Sequence, residues 1–114
     1  MQLNGETFED GLMITVDSAR IDAAQAIQFK DQMRELTADA PARVVLDLGQ
    51  VKFVDSSGLG AIVVSMKQLA AGQVLELAAL TEAVDKVFRL TRMDTVFTIH
   101  ESVDGMLAEM RQTG

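Results

Sequence analysis

The sequence predicts an α/β domain with a mixed or parallel central sheet and helices packed mainly on one side. Two observations carry this. Short apolar runs of strand length alternate with amphipathic segments of helical period along the chain. The run Arg43 to Leu48 (RVVLDL) is apolar enough to be buried on both faces, as a central strand flanked by parallel neighbours is. Right-handed βαβ crossovers then place consecutive helices together on one side.

Between Thr7 and Asp17, the apolar residues Phe8, Leu12, Ile14 and Val16 surround Gly11, which predicts two short strands joined by a tight turn near Asp10 and Gly11. Asp22 and Gln25 have capping-box spacing, and Ala26, Phe29, Met33 and Leu36 recur at helical intervals. This predicts a helix over 22–38. The central strand follows Pro41, and 51–54 is too short to be more than a strand end or an extended connection.

Leu59, Ile62, Val63, Met66 and Leu69 follow helical spacing up to Gly72, a C-terminal stop, which predicts a second helix over 57–71. Val74 to Leu80 (VLELAAL) reads as a strand. Thr81 is placed to cap a third helix whose Val84, Val87, Phe88 and Leu90 share a face. A strand over 96–99 and a last helix capped by Ser102, with Val103, Met106, Leu107 and Met110 as its buried stripe, complete the pattern.

At 114 residues the chain fits one domain, 1–114, able to bury roughly two-thirds of its unfolded surface. Ten Lys and Arg against 17 Asp and Glu give a net charge of −7, which repels nucleic-acid phosphates and anionic lipid headgroups. Neither nucleic acid nor membrane is expected as a partner. Met1 to Asp10 lacks the basic start and apolar run of a signal peptide, and charged residues interrupt every candidate membrane span. The absence of Cys rules out disulfides and thiolate chemistry and suits a reducing compartment. A cytoplasmic protein is expected.

Enzyme readings lose their residues quickly. His100 is the one histidine, and a strand-end residue at the surface is the ordinary reading of it, since nothing nearby resembles an activated nucleophile. The carboxylates fall at helix starts and exposed positions, so no metal site or cofactor is expected. There is no GxxxxGK[ST] loop, and Gly58-Leu59-Gly60 fails as GxGxxG because Val63 occupies the third glycine position. The chain has seven Met, of which Met33, Met66, Met106 and Met110 fall on predicted buried stripes and read as core filling.

Asp55-Ser56-Ser57-Gly58-Leu59-Gly60 is the polar, glycine-containing turn in an otherwise apolar middle third. Helix capping accounts for one Asp and one Ser. A second Ser and two Gly exceed that need. A hydroxyl at a helix N-terminus sits where a phosphate meets unpaired N–H groups and the positive end of the helix dipole. A phosphoserine there adds about −1.5 to −2 charges beside Asp55 and changes what surface can dock.

The stretch Leu46 to Gly60, LDL-x-x-V-x-F-V-DSSGLG, resembles the signature of the bacterial anti-sigma factor antagonists of the STAS domain family, and the likeness runs nearly end to end. It implies a non-enzymatic partner switch. The unphosphorylated domain binds an anti-sigma factor that is also a serine kinase, freeing a sigma factor; phosphorylation reverses this, and a PP2C-type serine phosphatase restores the active form. By match to the motif Ser56 is the phosphoacceptor and Ser57 a helix cap. The docking surface implied is Asp22, Asp55, Ser56, Ser57, Gly58 and Leu59, with Leu59 or Val54 as apolar anchors, on a monomer. The sequence departs from the family at Arg20, which replaces an acidic residue, and a charge reversal in a docking loop serves discrimination between partners. The alternative is a STAS scaffold subunit of a larger regulatory or transport assembly, which would hold one complex whatever the state of Ser56.

Overall fold

A computed structural model of the chain describes residues 1–9 and 11–113, with side chains through residue 109. The first hairpin is longer than the apolar pattern suggests. Strands β1 (Gln2–Phe8) and β2 (Gly11–Asp17) pair antiparallel from Gln2 opposite Asp17 to Phe8 opposite Gly11. Gly11 therefore lies inside β2, where a Cβ would meet the Phe8 ring at 2.4 Å. The predicted turn residue Asp10 lies outside the described residues; Glu9 beside it takes a left-handed φ of 42°.

Strand β2 continues into a two-residue strand β3 (Arg20–Ile21) and a turn over 22–25, and helix α1 spans Ala26–Thr37. The expected start at Asp22 is four residues early, because its carboxylate accepts from the Ala24 N–H in a local turn and Gln25 closes on the Asp22 carbonyl. The predicted central strand is β4 (Arg43–Asp47), with Val44, Val45 and Leu46 all fully buried. Residues 51–54 supply β5 (Phe53–Val54), which leaves the main sheet and pairs parallel with β3.

Helix α2 (Ser56–Lys67) ends before the predicted residue 71, and Gly72, at φ 89°, turns the chain into β6 (Val74–Ala78). Gln73 clips the helix ends together: its Nε2 donates to the Thr37 and Ala40 carbonyls, and its Oε1 accepts from the Ala70 N–H. Helix α3 (Glu82–Leu90) buries Val84 and Phe88 but leaves Leu90, predicted on the same face, 75% exposed. Thr81 precedes α3 without a side-chain cap bond; its hydroxyl donates instead to the Val51 carbonyl at 2.7 Å.

The strand predicted over 96–99 is shorter and later, β7 (Ile99–His100), because Met93–Thr95 form a 3-10 turn ahead of it. Helix α4 (Val103–Thr113) follows, and the Ser102 hydroxyl accepts from the Gly105 N–H as a cap. Of its predicted stripe, Val103, Met106 and Leu107 face the sheet; the Met110 side chain lies outside those described.

The five-stranded sheet has the order β1-β2-β4-β6-β7, antiparallel at β1-β2 and parallel elsewhere. Its two faces differ. One carries the main core, in which Ile14, Val44, Leu46 and Leu77 meet Phe29, Met33, Ile62, Val84 and Phe88 from α1, α2 and α3. The other buries Val45 and Ala78 under Met106 of α4. Helices on mainly one side are thus observed, and no helix of the described residues is long and apolar enough to cross a membrane.

Candidate functional site at the start of helix α2

Asp55 organises the site. It is the N-cap of α2, with extended backbone (φ −95°, ψ −176°), and its Oδ1 accepts from the Gly58 N–H at 2.8 Å. Its Oδ2 accepts from the Ala23 N–H at 3.2 Å, so one carboxylate joins the second helix to the turn that precedes the first. The chain separation is 32 residues, and the joint lies at the surface.

Asp22 lies in that same turn. Its Oδ1 accepts from the Ala24 N–H at 3.1 Å, and its Oδ2 pairs with the Arg20 Nε at 3.2 Å. The Arg20 guanidinium carbon in turn stands 5.0 Å from the centroid of the Phe53 ring, a cation–π contact built by the β3–β5 register, which sets Arg20 opposite Phe53. A continuous surface path therefore runs from Phe53 through Arg20, Asp22 and the 22–25 turn to Asp55.

Ser56 and Ser57 occupy the first two positions of α2, and both are exposed. The expectation that Ser57 caps the helix is corrected: Asp55 takes that role, and the Leu59 N–H closes the first helical bond on the Asp55 carbonyl at 2.9 Å. Both hydroxyls are consequently free of the capping duty that Ser residues at helix entrances ordinarily perform. Both side chains therefore stand exposed at the N-terminal end of the helix dipole, where backbone N–H groups of a first turn favour negative charge.

Gly58 is buried for a steric reason. An added Cβ would lie 1.9 Å from the Ile21 carbonyl oxygen, so the first turn of α2 packs directly on the backbone of β3. Gly60 is different: a Cβ there meets nothing within 4 Å, and the residue faces outward. Leu59 is half-buried against the main core, and Val54 is only 4% exposed. The expectation of these two as exposed anchors is therefore corrected for Val54 and reduced for Leu59. The apolar groups that do reach the surface here are Phe53, 45% exposed, and Ile27 in the first turn of α1, 68% exposed.

The structure brings Asp22, Asp55, Ser56 and Ser57 to one surface, and it adds Phe53 and the Ala23 amide, which sequence reasoning missed. A two-residue ladder between segments more than 30 positions apart leaves no periodic signal. The capping geometry of Asp55 was legible; its second hydrogen bond was not.

His100 lies on β7, the edge strand of the five-stranded sheet, and not on the β3–β5 ladder that carries this surface. It ends that strand, as expected, but its side chain is only 16% exposed, and its ring pairs with the Glu76 carboxylate, which also holds Arg43 through two bonds of 2.7 and 2.9 Å. Burial works to raise the Glu76 pKa, but hydrogen bonds and charge from Arg43 and His100 outweigh it and hold the carboxyl below its ordinary value. The cluster belongs to the α4 face of the sheet, where Glu76 stands opposite Val45.

A family model described as STAS domain matches residues 3–106. A protein of Bordetella bronchiseptica named provisionally as the anti-sigma factor antagonist BtrV is 28% identical over 103 residues, covering 90% of this chain and 89% of its own. In fold, the chain matches an anti-sigma factor antagonist from Mycobacterium paratuberculosis with a TM-score of 0.83 at 24% identity, over 96% of this chain and 93% of that one. It also matches the anti-sigma factor antagonist SpoIIAA, solved in its unphosphorylated form, with a TM-score of 0.74 at 18% identity, over 97% of both chains. The phosphorylated form of the Bacillus SpoIIAA matches with a TM-score of 0.68 at 16% identity, over 96% of this chain and 99% of that one.

Proposed function

The chain belongs to the STAS domain family, and from that premise we propose that it is an anti-sigma factor antagonist switched at Ser56. In its unphosphorylated form it binds an anti-sigma factor that is also a serine kinase, and so releases a sigma factor. Phosphorylation of Ser56 by that kinase ends the interaction, and a PP2C-type phosphatase restores it. The chain acts in the cytoplasm as a monomeric single domain, and its role is regulatory rather than enzymatic.

The observation that carries this reading is the placement of Ser56: exposed, at the first position of α2, with the capping role already taken by Asp55. A phosphate added there is accommodated by the helix N-terminus, so the fold survives the modification. It is also set beside a fixed carboxylate on a chain of net charge −7, so the docking surface changes sharply. The existence of SpoIIAA structures in both forms supports a phosphorylation switch on this fold.

The test is a capture from native bacterial lysate with Ser56→Ala and Ser56→Asp baits, followed by incubation of the captured partner with ATP and wild-type chain. The Ala bait retains a kinase-like anti-sigma factor that the Asp bait loses, and that partner places one phosphate on the Ser56 peptide. Equal retention by both baits, in one large complex, refutes the switch and favours a scaffold subunit.

A further inference from the structure

We propose that Arg20, presented on the ring of Phe53, is the residue by which this chain selects its partner, and that the matching partner surface carries a carboxylate bordered by apolar side chains. The inference rests on the antagonist reading above and narrows it. The first ground is which charged groups remain available. Asp55 spends both oxygens on the Gly58 and Ala23 amides, and Asp22 spends its own on the Ala24 amide and on Arg20. These two carboxylates shape the surface and hold it in place. Arg20 is paired only through Nε among the described residues, and its side chain is 57% exposed. A guanidinium has five N–H donors, so the four on its two Nη atoms remain for a facing group.

The second ground is preorganisation. Ser18 holds the Arg20 backbone from both directions, its hydroxyl donating to the Arg20 carbonyl at 2.8 Å and accepting from the Arg20 N–H at 3.3 Å. The β3–β5 ladder, the Phe53 ring and Asp22 fix the rest. An arginine held in this way loses less side-chain freedom when it binds than a free one does. Exposed Phe53 supplies the apolar area around it, and arginine and aromatic residues are the types that concentrate binding energy in interfaces.

The third ground is charge. On a chain of net charge −7 the long-range field opposes an acidic partner, so a carboxylate docks only where a local cation meets it. Arg20 supplies that cation three residues in register before Ser56, which makes the same contact sensitive to a phosphate on the serine.

The experiment uses the full chain and the purified kinase-like protein captured by the Ser56→Ala bait, with affinity read by calorimetry. Arg20→Glu weakens binding by about 100-fold and Arg20→Lys by about tenfold, since lysine keeps the charge but loses the planar fork and its stacking. Arg34→Glu makes the same change in net charge at a 62% exposed arginine on α1 and stays within about twofold of wild type. Replacing one partner Asp or Glu by Arg restores binding to Arg20→Glu. Circular dichroism melts confirm that all three variants fold. Equal weakening by Arg20→Glu and Arg34→Glu overturns the proposal while leaving the antagonist reading intact. Failure of the wild-type chain to bind the captured protein removes both.

Discussion

The two glycines of the DSSGLG turn respond oppositely to the same substitution. At Gly58 an added Cβ lies 1.9 Å from the Ile21 carbonyl oxygen and 2.7 Å from its carbon, and both are backbone atoms that no rotamer change removes. Carbon and oxygen ordinarily approach to about 3.3 Å, so the first turn of α2 must withdraw from β3 by about 1.4 Å. Overpacking of this kind costs about 1–3 kcal/mol, and loss of the Asp55 to Ala23 bond adds about 1 kcal/mol, against about 1 kcal/mol gained from replacing a helical glycine. Gly58→Ala is therefore destabilised by about 1–3 kcal/mol, a fall in Tm of about 4–12 °C for a chain of this size. At Gly60 nothing lies within 4 Å, so the helix-propensity gain stands alone and Gly60→Ala is stabilised by about 0.5–1 kcal/mol. Urea denaturation followed at 222 nm measures both. Midpoint shifts of the same sign would refute the close packing of α2 on the β3 backbone.

Asp55→Ala removes the cap of α2 and the tether to the 22–25 turn together, and lowers stability by about 1–2 kcal/mol. Hydrogen exchange at the Ala23 and Gly58 amides accelerates more than at core strands; uniform acceleration would show that the carboxylate has no local role. Glu76, whose folded pKa lies below its unfolded value, contributes stability that is complete above the unfolded pKa of about 4.5 and is lost as pH falls through the folded one. The stability gap between wild type and Glu76→Gln accordingly narrows on acidification below about pH 4.5, and a gap constant with pH would contradict the pairing with Arg43 and His100.

What was legible in the sequence was whatever depends on neighbours in the chain. The burial of Val44 to Leu46 on two faces, the α2 stripe and the Ser102 cap follow from local periodicity and local hydrogen bonding. The helix entrance at Asp55 and Ser56 was legible because such an entrance has a composition of its own. The misses share a different cause. The start of α1 moved because Asp22 satisfies its own turn before the helix begins, a choice between two local solutions with similar sequence signatures. Leu90 and the 96–99 segment differ from their patterns because apolar character alone does not fix burial or strand: Leu90 ends α3 in solvent, and a 3-10 turn over Met93–Thr95 shortens and delays β7. The contacts of Phe53, Arg20 and Ala23 arise from a crossover between distant segments, to which no one-dimensional pattern corresponds.

The separation of the β3–β5 ladder from the five-stranded sheet bears on how the proposed switch could be rewired. Neither Arg20 nor Phe53 belongs to the hydrophobic core, and the strands carrying them anchor themselves inward through Ile21 and Val54. On the proposed reading, altering the two outward residues changes what is recognised while the buried pair keeps the edge in register. On the same reading, copies of one scaffold could be made to answer to different partners by changes at these two outward positions, with the core left as it is.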